Sequence, residues 1–174
     1  NNDWGRGAGA AFRRAIEEQG GQIVREDYID QTVTDVLPQL TKINGSGADA
    51  IVMTTGAAQT LLRTYRVIPG ERILIAGNGP FNLQVALELA KAGATIVAIA
   101  ESAPRPGLRS LAALYDMYRG SRQLLFDGVR YTQNLQRRKI PLLYGHNLKS
   151  VEQINGGLQA QLVSSTNRIT RPAG

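Results

Sequence analysis

The sequence contains no cysteine and a single histidine, and these shortages limit its chemistry. Without cysteine the chain can form no disulfide, no thiolate metal site and no cysteine nucleophile. His146 has no partner that the sequence places beside it, so we assemble neither a histidine metal cluster nor a Ser/His/Asp set. We therefore expect no metal site, interpret His146 as a structural or exposed residue, and leave the catalytic residues unknown.

Long hydrophobic runs are also missing. No stretch of 18 apolar residues occurs, which argues against a transmembrane helix. A basic segment followed by an apolar leader, the pattern of a secretion signal, is not visible either. We therefore expect no membrane partner and a cytoplasmic location. If the character of the first segment decides the location, the protein is instead periplasmic.

The formal net charge is +6, but the charge is unevenly distributed. Residues 1–52 carry 5 basic and 8 acidic side chains, whereas residues 53–174 carry 15 and 6. The bases are scattered, apart from a triplet at 137–139 that is more typical of a helix end than of a phosphate-binding patch. We therefore expect no nucleic-acid partner. We also infer that the balance of charge along the chain changes from acidic to basic near residue 52.

Residues 72–101 have the pattern of one β-α-β unit. An apolar run at 73–76 leads into the glycine turn, defined here as Gly77-Asn78-Gly79-Pro80. A second apolar run at 95–100 ends at Glu101. Gly93 ends the intervening helix, one face of which is marked by Phe81, Val85, Ala86, Leu89 and Ala90.

The chemistry of such a unit is phosphate binding. Gly77 permits the tight turn, and Gly79 lets the backbone approach a pyrophosphate at the helix N-terminus. Glu101 follows at the spacing where a carboxylate accepts hydrogen bonds from a ribose. Asn82 replaces the third glycine of the motif, and Pro80 removes one N–H. We expect the pyrophosphate near the N–H groups of residues 81 and 82. The candidate cofactor-binding residues are Gly77, Asn78, Gly79, Pro80, Phe81, Asn82 and Glu101.

Apolar runs alternate with helical faces along the chain, which predicts an α/β protein with a parallel sheet. The expected fold is Rossmann-like, with three layers, a mostly parallel sheet and a C-terminal β-hairpin. Beyond a polar turn at 1–7, helices are expected around 8–16, 36–43, 57–66, 81–92, 111–118 and 124–135. Strands are expected at 22–28, 48–53, 73–76, 95–100 and 140–144, with Leu74, Ile75, Val97 and Ile99 in the core. A turn at 155–157 predicts a hairpin between 149–154 and 158–164, before a flexible polar tail.

The first 52 residues contain the stretches NNDWGRG, AFRRAIEEQGGQIVREDY and TVTDVLPQLTKINGSGADAIV. These resemble the periplasmic binding proteins that serve branched-chain amino-acid transporters. The resemblance covers less than a third of the chain, which is too little to build a complete amino-acid pocket. It implies a binding-protein-like α/β segment and an amino acid as the ligand.

Two later stretches are MTTGAAQTLLRTYRVIPGERILIAGNGPFNLQVALELAKAGATIVAIAESAPRPG and SRQLLFDGVRYTQNLQRRKIPLLYGH. They are similar to the nucleotide-binding region of two-dinucleotide-domain flavoprotein oxidoreductases, such as subunits of opine oxidases, hydrogen-cyanide synthase and amino-acid dehydrogenases. This resemblance implies FAD or NAD as the cofactor and other oxidoreductase subunits as possible partners. The N-terminal flavin-binding segment of that family is missing, so we do not expect the chain to be catalytic alone.

The chain is thus interpreted as composite. It has a binding-protein-like segment at 1–52, a Rossmann-like dinucleotide-binding unit at 53–147, and a hairpin with a tail at 148–174. The first hypothesis is a dinucleotide-binding fragment of an amino-acid or opine-type flavoprotein oxidoreductase. The alternatives are an amino-acid binding module derived from a periplasmic binding protein, and a structural chimera without a ligand. A natural fusion, a fragment and an engineered chimera all remain open.

Overall fold

A computed structural model describes residues 3–18, 20–28, 35–48, 50–107, 119–120, 122–154 and 157–164. The elements in chain order are α1 (Asp3–Glu18), α2 (Leu37–Asn44), α3 (Thr55–Tyr65), β1 (Arg72–Gly77), α4 (Pro80–Lys91), β2 (Thr95–Glu101), α5 (Arg122–Arg137), β3 (Leu142–Tyr144), β4 (His146–Ile154) and β5 (Gly157–Ser164). The chain divides into two compact units. One is Asn1–Ala57 with Ser150–Gln161, and the other is Ala58–Lys149 with Leu162–Gly174.

The second unit contains a parallel sheet of three strands in the order β1-β2-β3. β1 and β2 are neighbours, as the β-α-β pattern predicts, and Gly77 pairs with Glu101 at their common end. β4 and β5 form a separate two-stranded antiparallel sheet. The expected α/β class, with a parallel sheet and a C-terminal hairpin, is confirmed.

Helix α4 provides much of the core of this unit, because it packs on both β1 and β2. Val85, Ala86 and Leu89 are buried as predicted, whereas Phe81 is 44% exposed. The prediction that Phe81 belongs to the buried face was wrong, because Asn82 takes that place and is 7% exposed. Gly93 ends the helix as predicted.

The end of α4 has the hydrogen bonds of a Schellman motif. The Ala94 N–H donates to the Leu89 carbonyl over 3.0 Å, and the Gly93 N–H donates to the Ala90 carbonyl over 3.4 Å. Gly93 has a φ of +109°, a value that side-chain-bearing residues rarely adopt. The glycine therefore ends the helix through its backbone conformation.

The pairing of β2 with β1 is irregular at one point, and the exposure of the β2 side chains varies along the strand. Ile73 pairs with Ile96 but Leu74 pairs with Ala98, so Val97 is the extra residue of a β-bulge. Val97 is 42% exposed, whereas Ile99 is fully buried. Ile75 is buried and Leu74 half-buried. The expectation that Val97 lies in the core was therefore wrong, because residues 95–98 alternate between exposed and buried and Val97 lies on the same exposed side as Thr95.

In the first unit, the predicted strand at 22–28 is wrong, since these residues have no regular secondary structure. Their polar side chains instead contact α1. Arg13 forms an ion pair with Glu26, and the Arg6 guanidinium lies 5.5 Å from the centroid of the Tyr28 ring. Gly9 allows this arrangement, because a β-carbon there would collide with the Tyr28 hydroxyl. Side-chain contacts with a helix thus replace the expected strand pairing.

The predicted strand at 48–53 is also wrong for its described residues, 48 and 50–53, which form no strand. Ile51 and Val52 are 52% and 53% exposed, so this apolar run is not buried between neighbours. An apolar run becomes a strand only where another strand satisfies its backbone hydrogen bonds, and no strand among the described residues pairs with this run.

Several boundaries differ from the expectations. Residues 3–7 belong to α1 rather than to a turn, and β4 begins at His146 rather than at residue 149. The predicted helix at 111–118, the turn residues Asn155 and Gly156, and the tail at 166–174 lie outside the described residues. The proposed domain boundaries at 52 and 147 stay a prediction.

Candidate functional site

The glycine turn lies at the carboxyl edge of the parallel sheet, where β1 and β2 end side by side. Parallel strands bring the residues that follow them to one edge, which is where open α/β sheets bind ligands. The Gly79 N–H donates a hydrogen bond to Glu101 Oε1 over 3.0 Å. Glu101 is 6% exposed. The fold therefore brings the predicted acid and the predicted glycines into direct contact.

Gly79 combines an unusual backbone with open space above it. It is the N-cap of α4 and has a φ of +108°, which disfavours any residue with a side chain. A β-carbon placed there would meet no atom within 4 Å. A ligand atom can therefore approach the Gly79 backbone without displacing protein atoms.

Gly77 has a different steric role. A β-carbon at Gly77 would lie 2.7 Å from Asn82 Nδ2, which is closer than real side chains pack. Asn82 is buried at the start of α4, where the motif would have its third glycine. The missing side chain at Gly77 thus makes room for Asn82, and helix and strand still pack closely.

The hydrogen bonds within the turn use some of the donors that a phosphate would need. The Asn82 N–H donates to the Gly79 carbonyl over 3.2 Å, and the Gly79 N–H is bound to Glu101. Pro80 has no N–H. Among the described residues, no acceptor is recorded for the Phe81 N–H. Of the two amides predicted to face a pyrophosphate, Phe81 is thus the better placed to donate to a ligand.

A polar cluster between α3 and α4 escaped the sequence analysis. Arg63 donates to Glu88 with two nitrogens, including Nε to Oε2 over 2.9 Å. Gln84 and Gln59 also donate to this carboxylate, over 3.0 and 3.3 Å. The hydrogen bond from Arg63 is the largest cause that lowers the pKa of Glu88. The four-residue spacing of Gln59 with Arg63 and of Gln84 with Glu88 is the signal that could have revealed it.

Beside this cluster, α4 and α5 form a small cavity, called here the α4–α5 cleft. Its volume is about 190 Å³. It is lined by two helical stripes, Gln84, Leu87, Glu88 and Lys91 from α4, and Asp127, Arg130, Tyr131 and Asn134 from α5. The cleft is therefore polar, although it lies between two packed helices.

Comparison with known protein families supplies the decisive observation. The family model described as periplasmic binding protein matches residues 1–123, more than half of the chain. The chain belongs to the periplasmic binding protein family. A search of curated proteins and a search of solved structures found no match.

The periplasmic binding protein match extends well beyond the 52 residues that carried the resemblance in the sequence. It includes β1, the glycine turn, α4 and β2, so Glu101 also lies within it.

None of the helices in the described part of the chain is long and apolar enough to span a membrane. Among those same residues, no group of three or more potential ligands could hold a metal ion.

His146 is bound to the backbone within this periplasmic binding protein. Its Nδ1–H donates to the Tyr144 carbonyl over 2.7 Å, and its ring is half-buried. This hydrogen bond assigns the proton to Nδ1 and fixes the ring at the junction of β3 and β4. The contact agrees with the interpretation of His146 as a structural residue.

Proposed function

We propose that this chain binds a small uncharged amino acid as a non-catalytic solute-binding protein of the periplasm. The observation that carries the proposal is the family match over residues 1–123. The branched-chain character of the resemblance in the first 52 residues supports leucine or valine as the ligand.

The test is a titration of the full chain with leucine and valine by calorimetry, together with a thermal-shift screen. A ligand that binds only the native state raises the melting temperature, by an amount that grows with its concentration relative to Kd. FAD, NAD and NADP belong in the same screen. A melting temperature that does not respond to millimolar leucine or valine, with no heat of binding, would contradict the proposal.

As a second candidate, we propose that the glycine turn binds a dinucleotide, FAD or NAD, as in a fragment of an amino-acid or opine-type flavoprotein oxidoreductase. The specific support is the open space at Gly79 beside the buried carboxylate of Glu101. In this arrangement Glu101 would accept hydrogen bonds from a ribose, and Phe81 would donate to the pyrophosphate. The carboxylate would repel a 2′-phosphate, although exposed Arg105 follows closely in sequence, so NADP serves as a comparison.

Two matched glycines make this second test specific. Gly79 and Gly93 have nearly the same φ, +108° and +109°, but only Gly79 lies at the turn. Alanine at either site should therefore cause backbone strain, of about 1–3 kcal/mol. Only Gly79→Ala places a methyl group in the space that the ligand needs. We expect it to abolish dinucleotide binding, while Gly93→Ala binds like the parent.

Glu101→Ala should weaken dinucleotide binding by about 1–3 kcal/mol, the scale of a lost hydrogen bond to a charged group. Equal affinities for parent, Gly79→Ala and Glu101→Ala would exclude the glycine turn as the binding site. If no dinucleotide binds at millimolar concentration, the turn has only an architectural role.

A further inference from the structure

Strand β5 of the C-terminal hairpin has one edge that no neighbouring strand covers. Among the described residues its sheet consists of β4 and β5 alone, so β5 pairs on one side only. The outer edge of such a strand presents a row of backbone N–H and C=O groups that another strand can bind. The side chains of β5 are exposed except at positions 162 and 164, which are half-buried. β5 is therefore open to pairing with a further strand.

β5 also lacks the residues that usually protect an edge strand. Natural proteins discourage pairing between edges with lysine, other charged side chains or proline. Residues 157–164 contain no charged residue and no proline. β4, the other strand of the sheet, carries exposed Lys149 and Glu152. Of the two outer edges of this hairpin, the β5 edge is thus the one whose side chains do not oppose another strand.

The sequence of β5 is complementary to itself. Residues 158–162 read Leu-Gln-Ala-Gln-Leu, which is the same in both directions. When two copies pair antiparallel about a two-fold axis at Ala160, Leu158 lies opposite Leu162 and Gln159 lies opposite Gln161. Side chains alternate along a strand, so the leucines share one face with Ala160 and the glutamines lie together on the other. A slip of one residue would place leucine opposite glutamine, which favours the symmetric register.

We propose that β5 is a self-association surface through which two copies of this chain form a dimer. The two β5 strands pair antiparallel about Ala160 and produce a four-stranded sheet in the order β4-β5-β5-β4. This contact is isologous and uses the free edge of both β5 strands, so the sheet ends on the charged edges of β4 and growth stops at the dimer.

The size of this contact makes the dimer weak and reversible. Residues 157–163 of each copy pair in the symmetric register, over about 24 Å at about 3.4 Å per residue. One strand pair of that length is smaller than the standard interface, which buries about 1,200–2,000 Å². The dimer does not depend on the proposed ligand, so its test is independent of the binding function.

The experiment is sedimentation velocity of the full chain over about 1 μM to about 1 mM. In about 0.1 M salt the Debye length of about 10 Å still exceeds the spacing of facing side chains, while long-range repulsion between the chains is screened. Ala160→Lys and Ala160→Glu are measured separately and as an equimolar mixture. Val151→Lys is the matched control, because Val151 is a 46% exposed residue of β4 and the variant adds the same charge. Melting temperatures show whether each variant keeps its fold.

We expect the parent to dimerise reversibly and Val151→Lys to behave like it. Each Ala160 variant alone should self-associate at least about threefold more weakly, because residue 160 faces its own copy and like charges then lie opposite each other. The mixture should form a mixed dimer at least about tenfold tighter than either variant alone, since the facing charges are then opposite.

A parent that stays monomeric at every concentration, or that forms species larger than a dimer, would overturn the proposal. Dimers that Ala160→Lys and Ala160→Glu form as tightly as the parent would do the same, because the contact would then lie elsewhere. A mixture that associates no more tightly than its components would exclude the register about Ala160 and with it the proposed dimer.

Discussion

Replacing Gly77 with alanine should destabilise the protein through a single contact, the one with Asn82. The new methyl carbon would start 2.7 Å from Asn82 Nδ2, and Asn82 is 7% exposed, so it has little room to move. Overpacking of a buried site usually costs about 1–3 kcal/mol of unfolding free energy. The φ of +156° at Gly77 adds a smaller backbone contribution.

A double-mutant cycle separates these two causes. Asn82→Ala alone should cost about 1–2 kcal/mol, because it removes a buried polar side chain together with its hydrogen bonding. In the double variant the methyl group has space, so only the backbone cost and the loss of Asn82 remain. The two substitutions should therefore be non-additive, with a favourable coupling of about 1–2 kcal/mol.

The measurement is urea-induced unfolding followed by circular dichroism. The free energies of unfolding of the four proteins of the cycle are compared, provided that their m-values are equal. Gly56→Ala serves as the control. Gly56 lies in α3, and a β-carbon placed there would have no neighbouring atom within 4 Å. Gly56→Ala should therefore increase the free energy of unfolding by about 0.5–1 kcal/mol. Additive losses at Gly77 and Asn82 would refute the steric explanation of how α4 packs on β1.

Two further predictions concern the core and the α3–α4 cluster. Ile99→Ala should cost about 2–5 kcal/mol, because Ile99 is fully buried, whereas Val97→Ala should change stability by less than about 1 kcal/mol. Equal losses in urea unfolding would contradict the burial of Ile99 and the exposure of Val97. The lowered pKa of Glu88 means that its stabilisation is present above the ordinary glutamate pKa and is lost as the pH falls through the folded value. Glu88→Gln should therefore show a smaller loss of melting temperature on acidification than the parent, and an identical loss would exclude Glu88 as the titrating group.

The local pattern in the sequence was enough to predict the central β-α-β unit. Apolar runs, helical spacing and the glycines at 77, 79 and 93 act through short-range geometry, and each predicted element of 72–101 is present. The contact between Glu101 and the turn also follows from this geometry, because parallel neighbouring strands end at the same edge. Only one residue of the α4 face was misassigned. Phe81 is exposed, and Asn82 is buried instead, because Gly77 has no side chain and leaves space for it.

The runs at 22–28 and 48–53 show where such reasoning ends. Both have the composition of strands, but a strand forms only when a neighbour satisfies its backbone hydrogen bonds, and that neighbour is distant in sequence. The first run instead contacts α1 through Glu26 and Tyr28, an arrangement that depends on Gly9. The exposure of Val97 has the same origin, because the elements packed against a strand decide which of its two sides is covered.

For this protein, the sequence by itself determined the α/β class, the end of α4 at Gly93 and the residues of the glycine turn, since these depend on backbone sterics and hydrophobic spacing within about 30 residues. Tertiary structure alone decided the bonding of Glu88 to Arg63, the hydrogen bond that holds His146, and the α4–α5 cleft. These features join side chains from elements that are separated along the chain. Their meeting depends on how helices and strands pack, which local sequence patterns do not specify.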